Sequence, residues 1–107
     1  MRYDVMRVMC FFDLPTETAT EKRAYRQFRK NLISNGFEML QYSVYVRTCP
    51  NRDHAKKYYR IIQSCAPELG HIRLLMVTEK QFEEMALIIG TKHHQEDIVG
   101  CNKVVVI

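Results

Sequence analysis

From Val5 to Phe12 the chain reads Val-Met-Arg-Val-Met-Cys-Phe-Phe, a nearly continuous apolar run that stops at Asp13 and Pro15. Its aromatic and branched content suits a strand covered on both faces of a sheet. The period then lengthens. Thr18-Ala19-Thr20-Glu21 matches the capping box, in which the threonine accepts from the third amide and the glutamate reaches back. It predicts a helix from about Ala19 to Asn35, closed by Gly36 where a left-handed residue is needed. Tyr25, Phe28 and Leu32, at i, i+3 and i+7, form the buried seam with Ala24 at its edge. Beyond Gly36, Val44 and Val46 alternate with Tyr45 and Arg47, which is strand periodicity. Residues 37–48 make either one long strand or two short ones breaking near Gln41–Ser43. The lack of Gly or Pro there counts against two.

Pro50-Asn51-Arg52-Asp53 reads as a turn and N-cap, and a second helix follows from about His54 to Ala66. Ala55, Tyr58, Tyr59, Ile62 and Cys65 lie on one side of it, and Pro67 and Gly70 end it. His71 to Thr78 is a further strand. Residues 79–89 open like a helical turn and close like a strand, and Lys103–Ile107 is a β-prone tail. The order is β-α-β(β)-α-β with extra C-terminal strand material. Two amphipathic helices then cover one face of an antiparallel sheet, which makes an α+β, ferredoxin-like β-α-β-β-α-β sandwich. Residues 1–107 form a single domain, with a core over about 1–78 and a tail over about 79–107. Val104, Val105, Val106 and Ile107 are too apolar for a free edge. They are expected to pair with a second protomer's sheet or to add a strand to a partner.

A chain of 107 residues holds one small core, and oligomerisation would add to it. Arg2, Asp4 and Arg7 break up the N-terminus, and apolar runs reach only about five residues, far below the roughly 18 of a membrane span. A cytoplasmic protein without membrane contact is expected. Cys10, Cys49, Cys65 and Cys101 form no close pair, so zinc is not expected, and Cys10 reads as a small core residue. His93 and His94 read as solvated loop residues. Charge is more telling. Residues 1–60 hold 12 of the 16 lysines and arginines against 6 acidic residues, whereas residues 61–107 are net acidic. Lys22, Arg26, Arg29 and Lys30, with Arg23 close by, cover about a third of the first helix beside its apolar seam. Such a ridge suits a phosphate backbone, although an ordinary solvated helix face has the same composition.

Asp13 raises a separate question, because a buried strand ends on a carboxylate with no partner charge beside it. It is either a turn or capping residue, or a metal ligand or acid/base group at the mouth of a sheet. Mg²⁺ takes one or two carboxylates with phosphate oxygens and water. A two-fold dimer would place a second Asp13 across its axis, so that two carboxylates share one ion. The sequence places no histidine or second acid near it.

The strand ending in Phe12-Asp13, the basic first helix and Gln41-Tyr42-Ser43-Val44-Tyr45 together resemble the small CRISPR-associated adaptation proteins. These are the second protein of the spacer-acquisition pair, described as an endoribonuclease and as partner of the CRISPR integrase. The likeness spans about residues 3–78. It implies a ferredoxin-like homodimer in which Asp13 is the catalytic, Mg²⁺-binding aspartate, cleaving RNA or DNA in some members. It also implies that the dimer bridges integrase subunits and holds double-stranded prespacer DNA on basic surface, here approximately Arg23, Arg26, Arg29 and Lys30. Ser43 and Tyr45 match a segment with a structural or dimer-interface role. Leu14-Pro15-Thr16-Glu17-Thr18 departs from the family's more polar turn, and Pro15 stiffens it. Three readings follow: a DNA-bridging adaptor in spacer integration, a Mg²⁺-dependent endonuclease, and a ferredoxin-like RNA-binding or regulatory domain outside CRISPR. The last is weakened because Tyr-Ser-Val-Tyr-Val-Arg lacks the basic-Gly pair that leads an RNA-recognition motif.

Overall fold

The computed structural model describes residues 5–90 and the strand at 102–106. In chain order the elements are β1 (Met6–Asp13), α1 (Ala19–Ser34), β2 (Glu38–Gln41), β3 (Val44–Cys49), α2 (Arg52–Cys65), β4 (His71–Thr78), α3 (Glu79–Glu83), β5 (Ala86–Gly90) and β6 (Asn102–Val106). The first four strands form one antiparallel sheet in the order β2-β3-β1-β4, with α1 and α2 on one face. This is the ferredoxin-like arrangement expected from the sequence.

The helix starts follow the sequence signals. Thr18 Oγ1 accepts from the Glu21 amide at 3.1 Å, and the Glu21 carboxylate accepts from the Thr18 amide at 3.0 Å. That reciprocal cap is worth about 1 kcal/mol. Asn51 caps α2 by accepting from the His54 amide at 2.8 Å. A second capping box, Thr78 with Gln81, starts the short α3, so residues 79–90 are a helical turn followed by a strand.

Residues 37–48 are two strands, against the weight given to the absent Gly and Pro. Tyr42 and Ser43 make the turn, and Ser43 adopts φ 65 without being glycine. A left-handed residue with a Cβ costs about 1–2 kcal/mol. Part of the compensation is a hydrogen bond from the Phe12 amide to the Ser43 carbonyl at 3.1 Å, which ties the turn to the end of β1.

Strand β1 lies in the middle of the sheet and is apolar on both sides. Met6, Val8, Cys10 and Phe12 face the helices, where Phe12 meets Phe28 edge-on at 5.3 Å and stands 5.6 Å from Tyr45. Met9 faces the other way with Val46 and Phe82, flanked by Phe11, Leu40, Val44 and Val77. Among the described residues, Phe82 of α3 and Met85 pack over this second face, and Leu75 is half-exposed upon it. Val104, Val105 and Val106 find backbone partners in Ile88, Leu87 and Ala86 of their own chain. Ile107, Cys101, His93 and His94 lie outside the described residues.

Arg7 anchors α3 to the sheet. Its guanidinium donates to both Glu79 carboxylate oxygens, at 2.7 and 2.9 Å, and lies 4.3 Å above the Phe82 ring. These bonds hold the Glu79 carboxyl below its usual range. A lowered folded pKa stabilises fully above the unfolded value of about 4.3, and that stabilisation fades as pH falls through the folded value. Glu79→Gln is therefore expected to cost about 1 kcal/mol or less at neutral pH, a few degrees of melting temperature. The gap to wild type should close on acidification below about pH 4. Melting curves from pH 3 to 7 check this, and a gap that persists unchanged into acid would mean the ion pair is not its source.

Candidate nucleic-acid interface

Three chain segments meet at one end of the sheet. Asp13 ends β1, the Tyr42-Ser43 turn closes the β2–β3 hairpin, and His71 opens β4 directly opposite Asp13 in the ladder. Gly70 makes the last of these possible. It sits at φ +103, and a Cβ there would stand 2.7 Å from the Asp13 carbonyl oxygen and 2.6 Å from Leu14 Cδ2. Any other residue would push β4 away from Asp13. A shallow depression lined by Phe11, Asp13, Ser43, Val44, His71 and Arg73 results.

The histidine that sequence reading could not find is thus the cross-strand neighbour of Asp13. The two are 58 positions apart, and only the β1–β4 register joins them. Arg73, two residues along β4, shares the depression and was missed for the same reason. Asp13 is not a helix cap, since Thr18 caps α1. Its side chain is exposed at the rim. Among the described residues no three His, Cys, Asp or Glu side chains group to hold a metal ion. One chain therefore offers a hard cation a single carboxylate beside an imidazole and a guanidinium, too few oxygens for Mg²⁺ on its own.

On the helix side of the sheet, Lys22, Arg23, Arg26 and Lys30 are all exposed on α1. Arg29 differs. Its Nε donates to the Tyr45 hydroxyl at 2.7 Å, a bond that raises the already high guanidinium pKa. Tyr45 is buried in the helix-side core, so it is structural and lies away from the second sheet face. Exposed Arg52, Lys56, Lys57 and Arg60 extend the positive surface onto α2. The sequence signal for them was present in the cation surplus of residues 1–60.

Ser43 also lines a second depression, with Tyr25, Arg29, Met39, Tyr42 and Tyr45. Burial pushes the Tyr25 phenol up, and the neighbouring Tyr42 phenol acts in the same direction. Arginine and phenols, set beside the exposed helix-surface cations, suit a polyanion rather than a small apolar ligand.

Comparison with known proteins agrees with that chemistry. The profile of the family described as "CRISPR associated protein Cas2" matches residues 6–85. A protein from Ligilactobacillus salivarius named CRISPR-associated endoribonuclease Cas2 is 49% identical over 87 residues, 81% of this chain and 86% of the relative. Proteins of the same name from Flavobacterium psychrophilum and Acidovorax ebreus are 40% identical over 96 residues and 39% over 99. They cover 90% and 92% of this chain, and 84% and 97% of their own lengths. The chain belongs to the CRISPR-associated Cas2 family.

Proposed function

We propose that this protein is a CRISPR adaptation subunit, a homodimer that bridges integrase subunits and holds duplex DNA for insertion into the array. The observation that carries the reading is the separation of two surfaces on one family-assigned fold. The helix layer is basic and exposed, and among the described residues the opposite sheet face is mainly apolar and partly covered. A duplex needs the first and a second copy needs the second. Leu87, Ile88 and Ile89 of β5 are exposed as well, and a two-stranded ribbon is marginal alone, so the β5–β6 ribbon supports contact with a second copy or an integrase subunit.

Leu75, in the β4 row of the open face, stands opposite Met9. Leu75→Glu is expected to convert the dimer into a folded monomer, read by light scattering with circular dichroism as the folding control. A variant that stays dimeric at equal concentration would move the interface elsewhere.

Arg23, Arg26 and Lys30 are exposed, and the one ion pair among the described residues is Arg7 with Glu79, so their reversal should not disturb the fold. The triple variant Arg23→Glu, Arg26→Glu and Lys30→Glu is expected to weaken duplex binding. It should also reduce the slope of log K against log salt by about 3. An unchanged slope would remove the ridge from the interface.

A second reading is favoured by the Asp13 depression and by the endoribonuclease name of the relatives. Two chains with Asp13 across a dimer axis would supply the two carboxylates that one chain lacks. A bound Mg²⁺ there would supply an activated water and charge neutralisation at the phosphorus. His71 and Arg73 would hold the scissile phosphate against that site. Asp13→Asn is expected to bind duplex like wild type while losing any Mg²⁺-dependent cleavage of labelled RNA or DNA. Cleavage by the variant equal to wild type, or cleavage that survives EDTA, rules out metal chemistry at Asp13.

A further inference from the structure

Among the described residues the most exposed large hydrophobic side chain is Tyr42, with 74% of its area open to solvent. It is not a floppy loop residue. It occupies the first position of a two-residue turn between paired Gln41 and Val44. Ser43 fixes the turn in a left-handed conformation, and the Phe12 amide holds it from below. Backbone strain of this kind tends to persist where a conformation is used. Tyr25, Tyr45, Met39 and Arg29 line the depression beside the ring, and Tyr45 orients the Arg29 guanidinium. The space is about 250 Å³, below the range of pockets that enclose a whole drug-sized ligand. No carboxylate lines it, so it does not suit a cation.

We propose that this depression binds one unpaired nucleotide, its base stacked on the Tyr42 ring and its phosphate held by Arg29. Aromatic platforms beside arginine take single-stranded bases because every base has a face to stack, whereas a base inside a duplex has both faces occupied. The depression lies on the helix side of the sheet, so a second copy on the open sheet face leaves it free. Ser43 lines both this depression and the one at Asp13, so a strand seated on Tyr42 leads over the sheet end toward the carboxylate. The inference rests on the nucleic-acid reading above and deepens it. The subsite distinguishes a splayed or single-stranded end from a closed duplex.

The test uses the full chain with two ligands, a blunt DNA duplex and the same duplex with a short unpaired tail carrying 2-aminopurine at the junction. Wild type is expected to favour the tailed duplex by about tenfold, the lower part of what one stacked base contributes. The 2-aminopurine emission should change on binding. Tyr42→Phe retains both the preference and the emission change. Tyr42→Ala reduces the ratio of the two affinities to one and abolishes the emission change. A wild type that binds both ligands equally, or an alanine variant that keeps the preference, overturns the subsite while leaving the duplex-holding role intact. Failure of wild type to bind either ligand overturns both.

Discussion

Because β1 is apolar on both faces and lies between two other strands, the fold has two cores, and among the described residues only the helix-side one is fully covered. On the helix side, α1 and α2 bring Phe28, Leu32, Tyr58 and Ile62 over Met6, Val8, Cys10 and Phe12, and these are almost fully buried. On the other side, Met9 and Phe11 meet, among the described residues, Phe82 of the five-residue α3 and Met85 just beyond it. Burying a Leu or Phe side chain is worth about 1.5–3 kcal/mol. The half-exposed Leu75 on that face is the kind of side chain whose burial the proposed dimer would gain from. The open face and the carboxylate at the strand's end have one origin: a central strand must leave the sheet somewhere, and Asp13 is where it does.

Two backbone choices make that exit a site rather than a frayed end. Gly70 lets β4 begin against the Asp13 carbonyl, and Ser43 accepts a left-handed turn to bring its own carbonyl to the Phe12 amide. The opposite end of β3 is fixed by different chemistry. Arg47 donates to the Asn35 carbonyl at 2.8 Å, to the Thr48 carbonyl at 2.7 Å and to the Tyr58 hydroxyl at 2.9 Å. A cation at the C-terminus of α1 also meets the negative end of the helix dipole. One side chain thus joins α1, β3 and α2 and sets the helix layer over the sheet, which in turn determines where the α1 cations project.

Much of this was legible in the chain because the signals are local. The Thr18-Glu21 capping box, the Tyr25-Phe28-Leu32 seam and the Val44–Arg47 alternation each state their element within a few residues. Asp13 stood out for the same reason, as a lone charge at the end of an apolar run. Features that depend on register were not legible. His71 faces Asp13 only because β4 pairs with β1 in one alignment, and Arg29 leaves the free ridge only because Tyr45 points at it from β3. The hairpin at Tyr42-Ser43 was hidden differently. Serine in a left-handed turn breaks the local rule that Gly or Asn marks such positions, and the hydrogen bond that compensates comes from Phe12, 31 residues earlier.

The charge distribution decides how the two surfaces can coexist. Most exposed cations project from α1 and α2, the layer that seals the helix-side core, while the second sheet face is mainly apolar, with Arg7 paired to Glu79 and Arg73 at its Asp13 end. Had the cations lain on the sheet face, pairing two copies would have brought like charges together in a desolvated interface, at a cost that exposed ion pairs could not repay. Placed on the helices, they point outward from either copy, and a two-fold pair roughly doubles the positive surface without burying any of it. Binding a polyanion then screens repulsion between the two copies. In the proposed dimer, pairing and nucleic-acid binding would therefore reinforce each other rather than compete.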